Sequence, residues 1–500
     1  MRRAVPAVAA ACLLAGPTVL AFYSGGFYTE PRLVAAIVFW ALVLALAVVG
    51  PAPLPRSAPG RLLLAGLVLL TAWSALSLTW APLGGPAGEN VQRLVLYVGA
   101  LLLAIGALRS PRAMRAAEPA LAAGATVVIG YGLAGRLLPG VLELARSETA
   151  AGRLEQPITY WNGEGALAAI GLVLCARLAG DRTRTVATRC FAAAAAAPLG
   201  AGVYLSYSRG AIAVSLLGLL ILVAATRSSL QLRAAVVALA TGAAAAACSA
   251  AFPGVAAFEG ALADRTRDGA IALALLALIA AAAGVLTVRA ARGAATESDE
   301  LAWSRRLTPV AAVAVAAVTI GLVVAGVAEK PSAAELAAGA SPTRITTVSS
   351  NRYEYWRVAL QAFERNPIEG LGSGGFRVAW LRERSIAEAV RDAHSLEFEI
   401  AAELGLVGLL AFALMMAGAI GAARAALRRA PGAAAGTCAG ALVWFLHASI
   451  DWDWQLPAVT LPAIVLAGAL AVLAEGAAEP NPAGQERAAS RALTLSGAGR

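Results

Sequence analysis

Long apolar runs separated by short polar breaks cover most of the chain, and those runs set its architecture. Windows of about 20 residues without an ionisable side chain recur, each long enough to cross a hydrocarbon core of about 30 Å as α-helix. The cleanest, AAVAVAAVTIGLVVAGVA, occupies 311–328. Nowhere do apolar and polar residues alternate strictly over ten positions, as a membrane β-barrel strand requires, so the backbone must satisfy its hydrogen bonds inside helices. The pattern predicts an all-α, polytopic membrane helix bundle of about 12–14 spans. They fall near 4–23, 31–49, 61–80, 91–108, 119–139, 161–179, 186–205, 209–226, 232–252, 268–289, 307–328, 398–422, 432–450 and 457–474.

Composition agrees: 59% of the 500 residues are hydrophobic, only 14% are charged, and the mean hydropathy is +0.72, which excludes an ordinary soluble domain. A net charge of +10 raises the question of a nucleic-acid partner, but the arginines sit at span ends and not in one patch, so none is expected. Arg56 and Arg61, Arg109, Arg112 and Arg115, Arg227 and Arg233, and Arg424, Arg428 and Arg429 all fall in loops on one side. The positive-inside rule makes that side cytoplasmic and puts both termini there. Arg2 and Arg3 open the first run as in a signal peptide, yet no A-x-A-like cleavage site follows and the run is read as a span. Five scattered cysteines, Cys12, Cys175, Cys190, Cys248 and Cys438, show no metal-binding or disulfide spacing and read as small apolar fillers. Five regions result: N-terminal spans over 1–150, central spans over 151–328, a large outer loop over 329–397, C-terminal spans over 398–475, and a polar, disordered cytoplasmic tail over 476–500.

The outer loop holds most of the remaining chemistry. Tyr353, Trp356, Leu360 and Phe363 recur at helical spacing in NRYEYWRVALQAFERNP, which predicts an amphipathic helix on the membrane surface with its aromatics among the headgroups. Gly370, Gly372, Gly374 and Gly375 follow and permit a tight turn and close backbone approach to a ligand. A second amphipathic stretch over 376–391 leads to His394, at the head of the span starting near 398.

With this topology the unusual polar groups gather on the outer side: TYWNGEG (159–165), SYSRGA (206–211), DAHSLEFE (392–399) and HASIDWDWQLP (447–457). His394 is either a bland interfacial residue or a general base oriented by Asp392, Glu397 and Glu399. Arg209, between Ser208 and Gly210 and preceded by Tyr207, either snorkels to headgroup phosphates or forks around a diphosphate. Asp451 and Asp453 have a spacing that can hold a divalent metal, but solvated loop carboxylates are the favoured reading, and no metal or other cofactor is expected. His447 reads as a packing or hydrogen-bonding histidine. Glu164, just inside a span beside Trp161 and Asn162, implies an arginine partner or a ligand.

The order Ser-Arg-Gly at an outer hairpin, then NRYEYWRVALQAFERNPIEGLGSGGF, then Ala-His-Ser opening a span with ELGLVGLL, resembles the O-antigen ligase and O-antigen polymerase family of bacterial envelope glycosyltransferases, over roughly 155–475. The resemblance implies a GT-C-like fold in the bacterial plasma membrane and a metal-independent, inverting transfer. The implied donor is a glycan on undecaprenyl diphosphate, and the implied acceptor is a hydroxyl of a lipid, a protein or a growing glycan, with membrane lipids as further partners. It also implies that Arg209 and Arg352 hold the diphosphate and that His394 activates the acceptor. Ser395 stands where the commoner family pattern has asparagine, so acceptor contacts are expected to differ; Trp161, Asn162, Glu164, Tyr207, Ser208, Ser395, Glu397, Asp451 and Asp453 are the candidate substrate contacts. Two other classes compete: a solute transporter, which needs polar groups near the bilayer midplane where this chain is Ala, Leu, Val and Gly, and a noncatalytic lipid-glycan scaffold, which needs no His394.

Overall fold

A computed structural model describes residues 4–50, 52–292 and 351–476, and it is helical throughout with no strand among them. In chain order the helices are α1 (Ala4–Ala21), α2 (Thr29–Val49), α3 (Ala58–Leu76), α4 (Gly84–Ala107), α5 (Pro111–Leu137), α6 (Trp161–Gly180), α7 (Val186–Leu205) and α8 (Arg209–Thr226). Then come α9 (Ser229–Ala250), the single turn α10 (Pro253–Ala256), α11 (Leu262–Arg292), α12 (Arg352–Arg365), α13 (Phe376–Glu383), α14 (Leu396–Arg429), α15 (Pro431–Ala448) and α16 (Pro457–Leu473). Eleven of the described helices are long and apolar enough to cross a membrane, which makes this a multi-pass membrane protein. Thirteen of the fourteen expected spans coincide with described helices. The expected span 307–328 and nearly all of the expected disordered tail lie outside the described residues.

Helix α6 is the centre of the bundle: from Asn162 to Gly180 it is buried, and α5, α7, α8, α9 and α15 pack around it. Small residues make this possible, because without a hydrophobic drive between helices in lipid, association depends on close backbone approach. Gly200 of α7 lies against the Gly242 backbone of α9, and Gly66 of α3 against the Met415 backbone of α14. The antiparallel course puts the ends of α5, α7, α9 and α15 and the starts of α6, α8, α11, α14 and α16 at one end of the bundle, where the polar loops collect.

Helix α14 is broken near its start. Gly405 adopts φ 61°, ψ −157°, a conformation essentially reserved for glycine, and the break frees backbone groups that the 367–372 segment takes up. Leu406 N–H donates to the Pro367 carbonyl at 2.8 Å, while Leu371 and Gly372 N–H donate to the Ala402 and Glu403 carbonyls at 2.9 and 2.8 Å. This fastens the loop to the bundle. Gly405→Ala is therefore expected to cost about 1–3 kcal/mol of stability, read as a lower thermal midpoint in detergent, and to loosen the loop.

The loop glycines make the expected tight turn, with Gly370, Gly372 and Gly374 all at positive φ, but what approaches them is not a ligand. Gly370 packs on the Glu403 backbone, Gly372 on Ala81 and Gly374 on Pro86, so the close neighbour is the protein's own chain. Glu403 completes the clamp, accepting from the N–H of Gly374 at 2.7 Å and of Phe376 at 3.2 Å. In α12, Tyr355, Val358, Ala359 and Ala362 form the face buried against the protein, while Tyr353, Trp356, Leu360 and Phe363, the face expected among the headgroups, remain partly or fully exposed. Packing against the Phe376–Trp380 turn selects the buried face, and the second amphipathic stretch is helical only over Phe376–Glu383.

Candidate active site

At the polar end, three segments far apart in sequence meet on one carboxylate. Asp451 follows α15 and is 1% exposed. Its Oδ1 accepts from the Tyr160 hydroxyl at 2.6 Å and the Trp452 N–H at 2.9 Å; its Oδ2 accepts from the Asn162 amide at 2.8 Å and Arg352 Nη2 at 2.5 Å. Solvated loop carboxylates were expected here, and the structure corrects that. A buried anion is tolerated because a guanidinium and three neutral donors fill its acceptor sites. Burial alone would raise the Asp451 carboxyl, but Arg352, then His394 and His447, and the Tyr160 hydroxyl outweigh it and hold it below the usual carboxylate range. Next to this anion, burial and Asp451 together push the Tyr160 phenol well up.

Asp453, also buried, turns the other way. Its Oδ2 lies 2.5 Å from His447 Nδ1, and His447 Nε2 lies 3.4 Å from Ser208 Oγ. Ser208 caps α8 by accepting from the Ala211 N–H at 3.2 Å, so His447 is a hydrogen-bonding histidine that braces the turn carrying Arg209. Asp451 and Asp453 thus serve different partners and share no site. Among the described residues no group of three or more His, Cys, Asp or Glu side chains is arranged to hold a metal ion.

His394 lies at the inner end of the loop, in a left-handed conformation with φ 51°. Its Nδ1 is 3.0 Å from the Asp392 carbonyl. A carbonyl only accepts, so this bond requires the proton on Nδ1, and the neutral ring then presents Nε2 as a proton acceptor. The expected carboxylate orienters are engaged elsewhere: Glu397 accepts from Ser395 at 3.1 Å and Ser449 at 2.8 Å, and Glu399 from Gln455 at 2.5 Å. Backbone geometry, not a carboxylate, therefore orients the ring. Burial raises the Asp392 carboxyl despite nearby Arg93 and His394. The imidazole packs 4.9 Å from the Tyr355 ring and 6.4 Å from the Trp452 ring.

Arg209 begins α8, where the helix N-terminus adds partial positive charge. Burial raises the Tyr353 phenol while Arg352 and Arg209 both pull it down, so the two guanidiniums share the surroundings of one tyrosine. Of the other candidates, Ser395 is buried and caps α14, accepting from the Phe398 N–H at 3.5 Å. Glu164 has no arginine partner among the described residues; it accepts from the Ile158 N–H at 3.0 Å and so ties down the turn before its own helix. Tyr207 is buried beside Tyr204, their ring centroids 5.3 Å apart, and Trp161 carries the Arg153 guanidinium 3.6 Å above its ring. Tyr160 is a further site residue, inside the TYWNGEG motif, and no local pattern in the sequence shows that Asp451 gathers Tyr160, Asn162 and Arg352.

The comparisons bear on the same segments. No curated protein matches the chain. A family model described as O-Antigen ligase matches residues 191–413, a stretch that contains Arg209, Arg352 and His394, while Tyr160, His447, Asp451 and Asp453 lie outside it. With the motif order already noted, this match over 191–413 supports a likeness to the O-antigen ligase/polymerase family.

Proposed function

We propose that the chain transfers a glycan from an undecaprenyl-diphosphate-linked donor to an acceptor hydroxyl of a lipid, a protein or a growing polysaccharide. Transfer occurs on the outer face of the bacterial plasma membrane, with inversion and without a metal ion. The observation that carries this reading is the meeting at one polar end of an apolar bundle of His394, packed against Trp452, with Arg352, held on Asp451, beside the turn braced by His447 that carries Arg209.

In this mechanism His394 Nε2 takes the acceptor's proton as its oxygen attacks the anomeric carbon. The bond from that carbon to the diphosphate oxygen breaks, and the undecaprenyl diphosphate leaves with the electron pair. Because diphosphate is a good leaving group, the protein has to supply proton removal and charge stabilisation rather than a covalent intermediate. Arg209 and the N-terminus of α8 neutralise the leaving group from one side and Arg352 from the other, the latter held in register by Asp451. One displacement inverts the anomeric centre. Asn162 and Trp161 border the same hub and are assigned to the sugar, whereas Ser395 and Glu397 stabilise the loop end. Both termini are cytoplasmic in this reading, and the described part of the loop, 351–397, covers the donor from outside.

The finer claims are tested by determining the product's linkage by NMR from an α-linked donor, with and without EDTA. A β-linked product formed at unchanged rate in EDTA is expected. An α-linked product, or activity abolished by EDTA and restored by an added divalent cation, contradicts the mechanism.

A further inference from the structure

We propose that the chain has a second anion site, separate from the His394, Arg209 and Arg352 cluster, in which Arg146 and Arg265 bind a phosphate group. The site is a cavity of about 310 Å³ between the end of α5, the loop over 138–156 and the start of α11. Three guanidiniums surround one phenyl ring there: Arg146, Arg136 and Arg265 lie 3.6, 4.4 and 5.0 Å from the Phe258 centroid. A ring face attracts one cation, but three around one ring repel each other. Phe258 is itself held in the left-handed region at φ 59°, a conformation that concentrates at ligand sites.

The three arginines differ in how their donors are spent. Arg136 is a buried strut: Nη1 donates to the Val255 and Ala256 carbonyls at 2.8 and 3.0 Å, and Nη2 to the Gly152 carbonyl at 2.6 Å. Arg146 and Arg265 make no side-chain hydrogen bond or ion pair among the described residues, and Arg265 Nε is buried without a partner. The acids in the wall do not balance them. Glu155 gives both oxygens to Ser147, at 2.6 Å to its N–H and 2.5 Å to its hydroxyl, which leaves Glu143. Burial first, and then repulsion by Arg265, lowers the Arg146 pKa, the cost that an oxyanion between the two forks would remove. Phosphate suits this arrangement because its oxygens accept from two planar forks at once.

The cavity also adjoins the hub. Arg153, on its wall, stacks over Trp161, beside the Tyr160 that donates to Asp451. A phosphate held there would anchor a bound molecule next to the proposed transfer site, though the binding claim stands whether or not transfer is the reaction. The phosphate can belong to a lipid headgroup or to a soluble molecule.

The test is thermal unfolding of the full chain with inorganic phosphate in uncharged detergent, and separately in nanodiscs of phosphatidylglycerol against phosphatidylcholine. Wild type is expected to show a saturable rise in melting temperature with at least one of the two probes. Apparent affinity should fall at least about tenfold in Arg146→Gln/Arg265→Gln, the scale of one lost charge-assisted hydrogen bond, and stay unchanged in Arg209→Gln. A response to phosphate in solution identifies a soluble source, and a response to phosphatidylglycerol alone identifies a headgroup. Arg146 is exposed, so Arg146→Gln alone keeps the test open if the double variant does not fold. No shift with either probe, or a shift abolished by Arg209→Gln and untouched by Arg146→Gln, overturns the second site.

Discussion

Replacing Asp451 by asparagine is expected to destabilise the protein by about 3–5 kcal/mol, because it leaves the Arg352 guanidinium without its buried counter-charge. The amide also turns a donor towards a hub that needs four acceptances, from Tyr160, Asn162, Arg352 and Trp452. Turnover should fall at least about a hundredfold, since Arg352 loses the group that fixes its position. Thermal unfolding in nanodiscs reads the first effect and donor turnover the second. Asp451→Asn and Arg352→Gln combined should cost far less than the sum of the single changes, because each removes the same ion pair. The pH dependence has a definite sign. The folded carboxyl lies below its usual range of about 3.9, so its contribution is complete above that value and lost as pH falls through the lower folded one. The acid side of the stability profile should therefore be shallower in Asp451→Asn than in wild type. An unaltered profile and full activity would show that the hub is ornamental to both fold and reaction.

His394→Ala is expected to lower transfer by about 10²–10⁴-fold, the usual contribution of a positioned general base, with little change in donor affinity. Arg209→Ala should weaken donor binding as well as turnover, because it removes a diphosphate contact. Equilibrium binding of a labelled lipid-linked oligosaccharide separates the two. Equal donor affinity and full activity in both variants would remove His394 and Arg209 from the site. Because Nδ1 donates to a carbonyl, 15N chemical shifts of the neutral His394 ring should report the proton on Nδ1.

The helices were legible because an apolar run of about 20 residues has few other fates in a membrane chain. Topology then brought the four polar motifs to one end, and the structure does unite 160–164, 206–211, 392–399 and 447–455 with α12 there. What escaped depends on partners that no local pattern reveals. Asp451 looks like a loop carboxylate until Arg352, 99 positions away, is seen to bury it. The wheel of α12 offers two apolar faces, and only the neighbouring α13 and α14 decide that Tyr355 and Val358 go inside. Gly405 sits in an apolar run that reads as unbroken helix, while its φ of 61° serves the loop at 367–372. The glycines of that loop were correctly read as points of close approach and wrongly matched to a ligand, since a missing Cβ says that something comes near without saying what.

The most direct test of the central claim is release of undecaprenyl diphosphate from a labelled lipid-linked oligosaccharide by the purified protein in nanodiscs, with and without candidate acceptors. Acceptor-dependent release by wild type, lost in His394→Ala, is the predicted result. No release with any acceptor, together with solute uptake when the protein is sealed into vesicles, would contradict it and assign the histidine and arginines to a transport gate.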